Sequence, residues 1–520
     1  MKFEHRIEKI IDEEKAWACL SDPKTWTKWD PTLIKLELDA FTVNARGIKY
    51  MKKAHHPLPF EVVQIDEGKK IVIYFERGKM SVYQEYCIED RHLVFRVDLN
   101  GREGKQTEIM YEKITKLIPM MMNRFVMMIQ PIMPSRKEAL SMFFKEWTPS
   151  IEIENVSIKD SLRRTLACDL YSQVTLPLYR VSMMDGIAVK SSAFQNGKPD
   201  TSHWIEGIDY VRADTGDDFP DDYDAIIMIE DVEWKENGEL VLHNKRPVEA
   251  GMFTRPAGST IKEGELLLKK GTVLRPTDLA VIAMGNHREV PVIKKPVVAF
   301  IPTGSELVKA GSQIHRGENI DTNSYLVQGQ LQEMGAKVIT FPIIKDNKKE
   351  LEKVLNEALS QADIVIINGG SSKGGEDFNI QLLEEKGHMI CHNVAAVPGR
   401  PIALSLFDNK PVINIPGPCL AAYFATGWCI QAILDCWFLN RQRISHTVKA
   451  KLTKEMDNGG PVQILNRMDV YKNEEGRYEA IPYGMKDGQV KIMASNGQYV
   501  SSLFEEAHQI GDELEIEIID

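Results

Sequence analysis

Four stretches between residues 296 and 440, PVVAFI, AKVITFPII, ADIVIING and KPVINIPG, are apolar and β-branched throughout. They are too uniformly so to leave one face in water, and strands of that kind need cover on both faces. The cover is at hand. NSYLVQGQLQEMG, KKELEKVLNEALSQ, FNIQLLEEKG and PCLAAYFATGWCIQAIL carry helical patterning and separate or follow the strands. Strand–helix alternation with buried strands predicts a parallel α/β sheet, and no other feature narrows the fold as much.

In such a sheet, ligands bind beyond the carboxyl ends of the strands. PVVAFI runs into Pro302-Thr303-Gly304-Ser305-Glu306, and ADIVIIN into Gly369-Gly370-Ser371-Ser372-Lys373-Gly374-Gly375. KPVINI runs into Pro416-Gly417-Pro418 and then directly into a helix. Glycine permits close approach of a ligand to backbone N–H groups, and helix N-termini favour anions. Singly, each loop is a tight turn; three on one edge predict an anion pocket. Glu306, Asp346 and Asp377 fall on the same edge. Carboxylates there hold Mg²⁺ or accept from a ligand N–H, or else cap helices and face solvent, a role that suits Asp377 before FNIQLL. There is no G-x-x-x-x-G-K-[ST], G-x-G-x-x-G or H-E-x-x-H, so the common nucleotidase, dehydrogenase and zinc-protease patterns are missing.

At 520 residues the chain is too long for one ordinary domain. Residues 1–130 read as an α+β unit. MKFEHRIEKI is strand-like and DEEKAWACLSD helical; GIKYMKKAH, FEVVQID, KKIVIYFERG, MSVYQEYCIED and RHLVFRVDLNG then form an antiparallel meander. The methionine-rich stretch from Met110 to Met133 suits either a core helix or the wall of an adaptable apolar cavity. PSRKEALSMFFKEW and VSIKDSLRRTLACDLYS read as helices, the second with Leu162, Leu166 and Leu170 on one side. Residues 195–275 are strand- and turn-rich, PTDLAVIAMGN is a helix capped by Thr277 or Asp278, and 446–520 form a small β domain, taken as a barrel.

Net charge is −11, so no global field draws the chain to nucleic acid or anionic membrane. Seven cysteines without a C-x-x-C pair argue against a disulfide framework or a zinc site. The charged first residues exclude a secretory signal, and no run of ~18 apolar residues suggests a membrane span. The expectation is a cytoplasmic multidomain protein.

Two resemblances add to this. The opening strand, the helix with Trp17, LSDPKTWTKWDP with Trp26 and Trp29, and the terminal helix resemble the START-like, polyketide-cyclase superfamily. That implies a helix-grip domain over 1–130 and a hydrophobic ligand. From about 134 to 520 the chain resembles the molybdopterin molybdotransferase family (MoeA and the E domain of gephyrin). The resemblance rests on PLYRVSMMDGIAV, ADTGDDFPDDYDAIIMIEDVE and TRPAGSTIKEGELLLKKGTVL, followed in family order by PTGSEL, DTNSYLV, NGGSSKGGEDF, VPGRPIAL and IPGP.

The second resemblance implies a multidomain α/β and β protein. Its parts are a linker and dimerisation region (134–194 and 276–295), a β-rich inserted domain (195–275), an α/β molybdopterin-binding domain (296–440) and a C-terminal β domain (446–520). It also implies a homodimer that inserts molybdate into adenylylated molybdopterin with Mg²⁺ and releases AMP. Carried over by motif, Asp185, Glu306 and Asp377 are the catalytic acids, and Glu306 and Asp346 the metal ligands. Thr215, Arg255, Thr303, Gly304, Asp346, Gly369, Gly370, Ser371, Arg400, Pro416 and Gly417 are cofactor-binding. Several family positions differ here: lysines are replaced at Asn393 and Val397, another is Arg400, and acids are replaced at Ser259, Thr260 and Ser305. These departures set an alternative beside the enzyme, a non-catalytic carrier or sensor of molybdopterin or a nucleotide.

Overall fold

The computed structural model describes every residue except 53, 55, 102–104, 131–132, 371–377, 444, 457–459, 485 and 520, with the side chains of 105 and 106 also left aside. The chain divides into two compact units. One comprises Met1–Pro149, Pro296–Leu434 and Gln442–Asp520; the other comprises Ser150–Lys295 and Asp435–Arg441.

The first unit begins with a seven-stranded antiparallel sheet. Its strands are β1 (Lys2–Arg6), β2 (Leu33–Glu37), β3 (Arg46–Met51), β4 (Leu58–Asp66), β5 (Lys70–Arg77), β6 (Met80–Glu89) and β7 (His92–Asn100), in the order β1-β7-β6-β5-β4-β3-β2. Helix α1 (Glu13–Ser21) starts at Asp12, whose side chain accepts from the Lys15 N–H, and a short α2 (Trp26–Trp29) follows. Helix α3 (Lys105–Ile129) buries Ile114, Ile118, Met121, Met122, Phe125, Val126 and Ile129, the three-to-four spacing that puts one stripe against the sheet. Most of the methionine-rich stretch is therefore wall of this core, although Met120 is exposed. Sequence patterning passes over β2, whose exposed positions break its alternation.

The α/β part of the same unit is a six-stranded sheet. Val297–Pro302 pairs in parallel with Lys337–Thr340 on one side and Ile364–Asn368 on the other, and Ile364–Asn368 pairs in parallel with Lys410–Ile415. Ala403–Phe407 and His388–His392 extend it antiparallel. The sheet is thus mixed rather than wholly parallel, because Asp408 and Asn409, both at positive φ, turn the chain tightly back on itself. The helix over Cys419–Trp437 is long and apolar enough to cross a membrane by length and composition alone. Half of it is inside the protein, with Phe424, Cys429, Ile430 and Ile433 all buried, as befits a core helix. In the C-terminal part, Gln463–Lys472 pairs with both Tyr478–Pro482 and Gly497–Val500, and those connect through His446–Leu452 and Glu513–Ile518, so the pairing closes into a ring.

In the second unit, the helix expected over VSIKDSLRRTLACDLYS does not form. Ile153–Ser157 is a strand paired with Glu289–Ile293, and Ile158–Asp160 is a single 3₁₀ turn. Arg163, at positive φ, then begins an extended run that bonds to Leu274, Thr272 and Pro291. Leu166 and Leu170 are buried while Leu162 is exposed. A spacing of four fits a helix face and equally one face of an extended chain, and non-local pairing decided between them. At Pro276–Met284 the N-cap is Arg275, and Asp278 caps it from the N3 position by accepting from the Arg275 N–H at 2.8 Å.

Candidate functional site

Three neighbouring parallel strands, ending at Pro302, Asn368 and Ile415, release their loops on one edge. The Thr303 N–H and hydroxyl both donate to the Asn368 carbonyl at 2.9 Å. The Gly369 N–H donates to the Ile415 carbonyl at 3.1 Å, and the Gly304 N–H to the Ile344 carbonyl at 3.0 Å. At Gly369, where φ is +110°, a Cβ would lie 2.5 Å from the Thr303 carbonyl oxygen. A Cβ on Gly417 would lie 3.7 Å from Gly369 Cα. Glycine is therefore required at 369, where these loops meet, and Gly417 packs beside it in ordinary contact.

Buried asparagines hold the loops together. Asn323 Nδ2 donates to Asn368 Oδ1 at 2.9 Å and to the Gly417 carbonyl at 2.6 Å. Asn368 Nδ2 donates to the Pro416 carbonyl at 2.7 Å. Asn379 Nδ2 reaches Thr303 Oγ1, the Gly369 carbonyl and Asn414 Oδ1 at 3.2, 2.9 and 3.1 Å. All four asparagines are buried, yet Asn323 Oδ1 and Asn414 Nδ2 have no protein partner. Such atoms call for a water or a ligand atom. Sequence patterning does not single these residues out. The available signal was an amide inside or ending otherwise apolar strands, at Asn368 and Asn414.

The acids rim this edge. Glu306 is exposed, and its carboxylate folds back over Gly304, with Oε2 2.7 Å from where a Cβ would stand. Asp346, also exposed, accepts from the Ser305 N–H at 3.0 Å, and its own N–H donates to Ser305 Oγ at 3.1 Å. Asp377, Ser371 and Lys373 lie outside the described residues. Arg400 is exposed beside Gly399, whose Cβ would be 3.8 Å from the Ala421 carbonyl. That places the arginine near the helix that starts after Pro416 and Gly417. This helix has no side-chain cap at Pro418, which leaves its first N–H groups open to an anion. Among the described residues, the acids of this edge do not converge into a three-ligand cluster. Their fit to Mg²⁺ is that of one or two hard oxygens completed by a substrate's phosphate oxygens.

In the second unit, Val181–Ser182 pairs with Thr254–Arg255, which sets Arg255 opposite Val181. Asp185 Oδ1 accepts from the Thr215 N–H at 2.7 Å and from its hydroxyl at 2.8 Å. These two bonds, the backbone one foremost, hold the Asp185 carboxyl below its ordinary range. The Gly216 N–H returns to the Ser182 carbonyl and the Ser182 N–H to Asp217, so the loops carrying Asp185, Thr215 and Arg255 are stitched into one cluster. It presents an ionised carboxylate, a hydroxyl and a guanidinium to solvent.

A family profile described as the MoeA N-terminal region (domain I and II) matches residues 134–285, and one described as a probable molybdopterin binding domain matches residues 299–435. The chain is 30% identical over 295 residues to the molybdopterin molybdenumtransferase of Haemophilus influenzae, covering 54% of this chain and 72% of that protein. It is 29% identical over 368 residues to the molybdopterin molybdenumtransferase of Bacillus subtilis, covering 67% and 85%. A solved structure of the molybdopterin biosynthesis MoeA protein from Pyrococcus horikoshii superposes with a TM-score of 0.63 at 25% identity, covering 74% of this chain and 99% of that one.

Proposed function

The chain belongs to the molybdopterin molybdenumtransferase family, and from that premise we propose that its glycine-lined sheet edge binds adenylylated molybdopterin and directs molybdate into it with release of AMP. It is a transferase of molybdenum cofactor biosynthesis. The observation that carries the site reading is the meeting of three strand-end loops, locked by Asn323, Asn368 and Asn379, beside an uncapped helix N-terminus. Thr303, Gly304 and Gly369 shape the loops through their N–H bonds to Asn368, Ile344 and Ile415, and the backbone N–H groups of Gly370 and Gly417, with Ser371 and Arg400, suit a phosphate and an oxyanion. Pro416 holds the third loop in place through its carbonyl. Glu306 and Asp346 are the residues that would hold Mg²⁺, which supplies charge neutralisation on phosphate oxygens. Asp185, Glu306 and Asp377 are assigned the catalytic acids, with Thr215 and Arg255 facing the same substrate.

The family's arrangement adds a homodimer in which a second copy's Asp185 cluster completes the site. Exposed Leu178, Tyr179, Met183 and Met184 around Asp185 support an interface there. The N-terminal sheet with its long helix supports the START-like, ligand-binding reading for 1–130, and a cytoplasmic setting fits a biosynthetic transferase.

The test is to incubate the chain with adenylylated molybdopterin, Mg²⁺ and molybdate and follow AMP release together with Mo insertion. Molybdate-dependent AMP release is the expected result. Tight substrate binding without it would restore the carrier reading. Asp185→Asn and Glu306→Gln are expected to impair turnover without unfolding the chain.

A further inference from the structure

The N-terminal sheet keeps charge where packing alone places none. Lys49 on β3 is only 4% exposed, and Nζ makes one hydrogen bond, to Gln84 Oε1 at 3.2 Å. It stands over the rings of Trp26, Phe60 and Phe75 at 5.2, 5.6 and 5.9 Å. An ammonium offers three donors, and among the described residues no carboxylate lies within ion-pair distance of it. The acid that acts on it through space, Asp30, is bonded instead to the Thr32 N–H and hydroxyl at 3.0 and 2.7 Å.

Two further donors belong to the same aromatic cluster. The Tyr86 hydroxyl shares Gln84 Oε1 at 3.3 Å. Trp29 Nε1 is buried with no partner, in a residue 1% exposed. Trp26 joins them, its ring centroid 5.0 Å from that of Trp29 and 4.8 Å from that of Tyr86. Beyond Trp29 and Tyr86 the interior turns apolar around a small void lined by Leu20, Leu93, Met121, Met122 and Phe125.

An interior rich in donors and poor in acceptors, continuous with an apolar pocket, complements an amphiphile with an accepting head. We propose that Lys49, Tyr86 and Trp29 form a head-group site for a monocarboxylate whose apolar chain lies toward Met121 and Met122. This rests on the reading of the N-terminal unit as a ligand-binding module and adds the chemistry of the ligand's head. Asp30 already acts on Lys49 through space, so the anion that suits the site carries the smallest charge, a monocarboxylate rather than a dianionic phosphate. Space for the chain comes from α3. Pro119 lies inside the helix and removes one of its backbone bonds, and the unbranched methionines that follow re-pack at low cost. Burial lowers the Lys49 pKa to about 8, and a carboxylate beside the ammonium would raise it again.

The full chain is titrated with cis-parinaric acid, a fluorescent C18 carboxylate, and separately with its methyl ester, reading energy transfer from tryptophan. Saturable binding of the acid is expected. K49M should weaken the acid at least about tenfold, the loss of one hydrogen bond to a charged group. It should leave the ester unchanged and raise the thermal midpoint, because a buried, poorly paired charge has been removed. K49R, which keeps the charge, should bind the acid better than K49M. Equal binding of the acid by the native chain and K49M would overturn the head-group site and leave the module reading standing. Absence of saturable binding of either probe would overturn both.

Discussion

Asn323 and Asn368, 45 positions apart in sequence, meet side chain to side chain at 2.9 Å beneath the loops that make the anion site. Asn323 also holds the Gly417 carbonyl. Replacing Asn323 with alanine leaves Asn368 Oδ1 and Gly417 O without this donor inside the protein. A buried polar group left unsatisfied costs about 1–3 kcal/mol. The α/β part should unfold at lower denaturant by a corresponding amount, and substrate binding should weaken further because the Pro416–Gly417 loop loses its anchor. Denaturant unfolding and a binding titration measure the two effects.

Gly369→Ala tests the closeness of the loops. The new methyl would lie 2.5 Å from a backbone oxygen at a φ that side chains avoid. Both terms destabilise, by about 1–3 kcal/mol each. The loop should shift away from Thr303, and Mo insertion should fall far more than stability. Unchanged insertion would mean that this loop does not touch the substrate.

The Asp185–Thr215 pair gives a pH prediction. A carboxyl held below its ordinary pKa contributes fully above the ordinary carboxylate range, and that contribution fades as pH falls through the lowered value. Thr215→Val removes the hydroxyl bond and keeps the backbone bond, so the Asp185 pKa should move part of the way up. A carboxyl NMR titration of both chains reads the difference.

Lys49 gives the opposite end of the scale. Its folded pKa of about 8 lies below the free value of 10.5, so the unfolded chain binds the extra proton between those values. Stability of the N-terminal unit should therefore rise with pH across that window, by about 3 kcal/mol at most. It should be flat there in K49M. Denaturant unfolding at pH 7.5 and pH 10, followed by tryptophan fluorescence, measures the slope.

Legibility differed by element. The uniformly apolar strands at Val297–Pro302, Ile364–Asn368 and Lys410–Ile415 were plain in the sequence, because burial on both faces leaves few polar choices. So were the glycines at their ends. The helix expected around Leu162, Leu166 and Leu170 was wrong, since a four-residue spacing serves an extended chain as well. Asn379 was invisible, and Asn414 showed only as an amide in an apolar strand, because an amide's value depends on what stands opposite it.

Sequence alone determined the order of elements, the α/β character of 296–440, the family motifs and the residues available for an anion site. Tertiary structure alone decided which of them meet. It set Asn323 against Asn368, bound Asp185 to Thr215, and left Lys49 inside an aromatic interior with a single hydrogen bond. The division has a physical cause. Periodicity and propensity act between neighbours in the chain, whereas hydrogen-bond satisfaction and desolvation depend on partners brought together only when the sheets close.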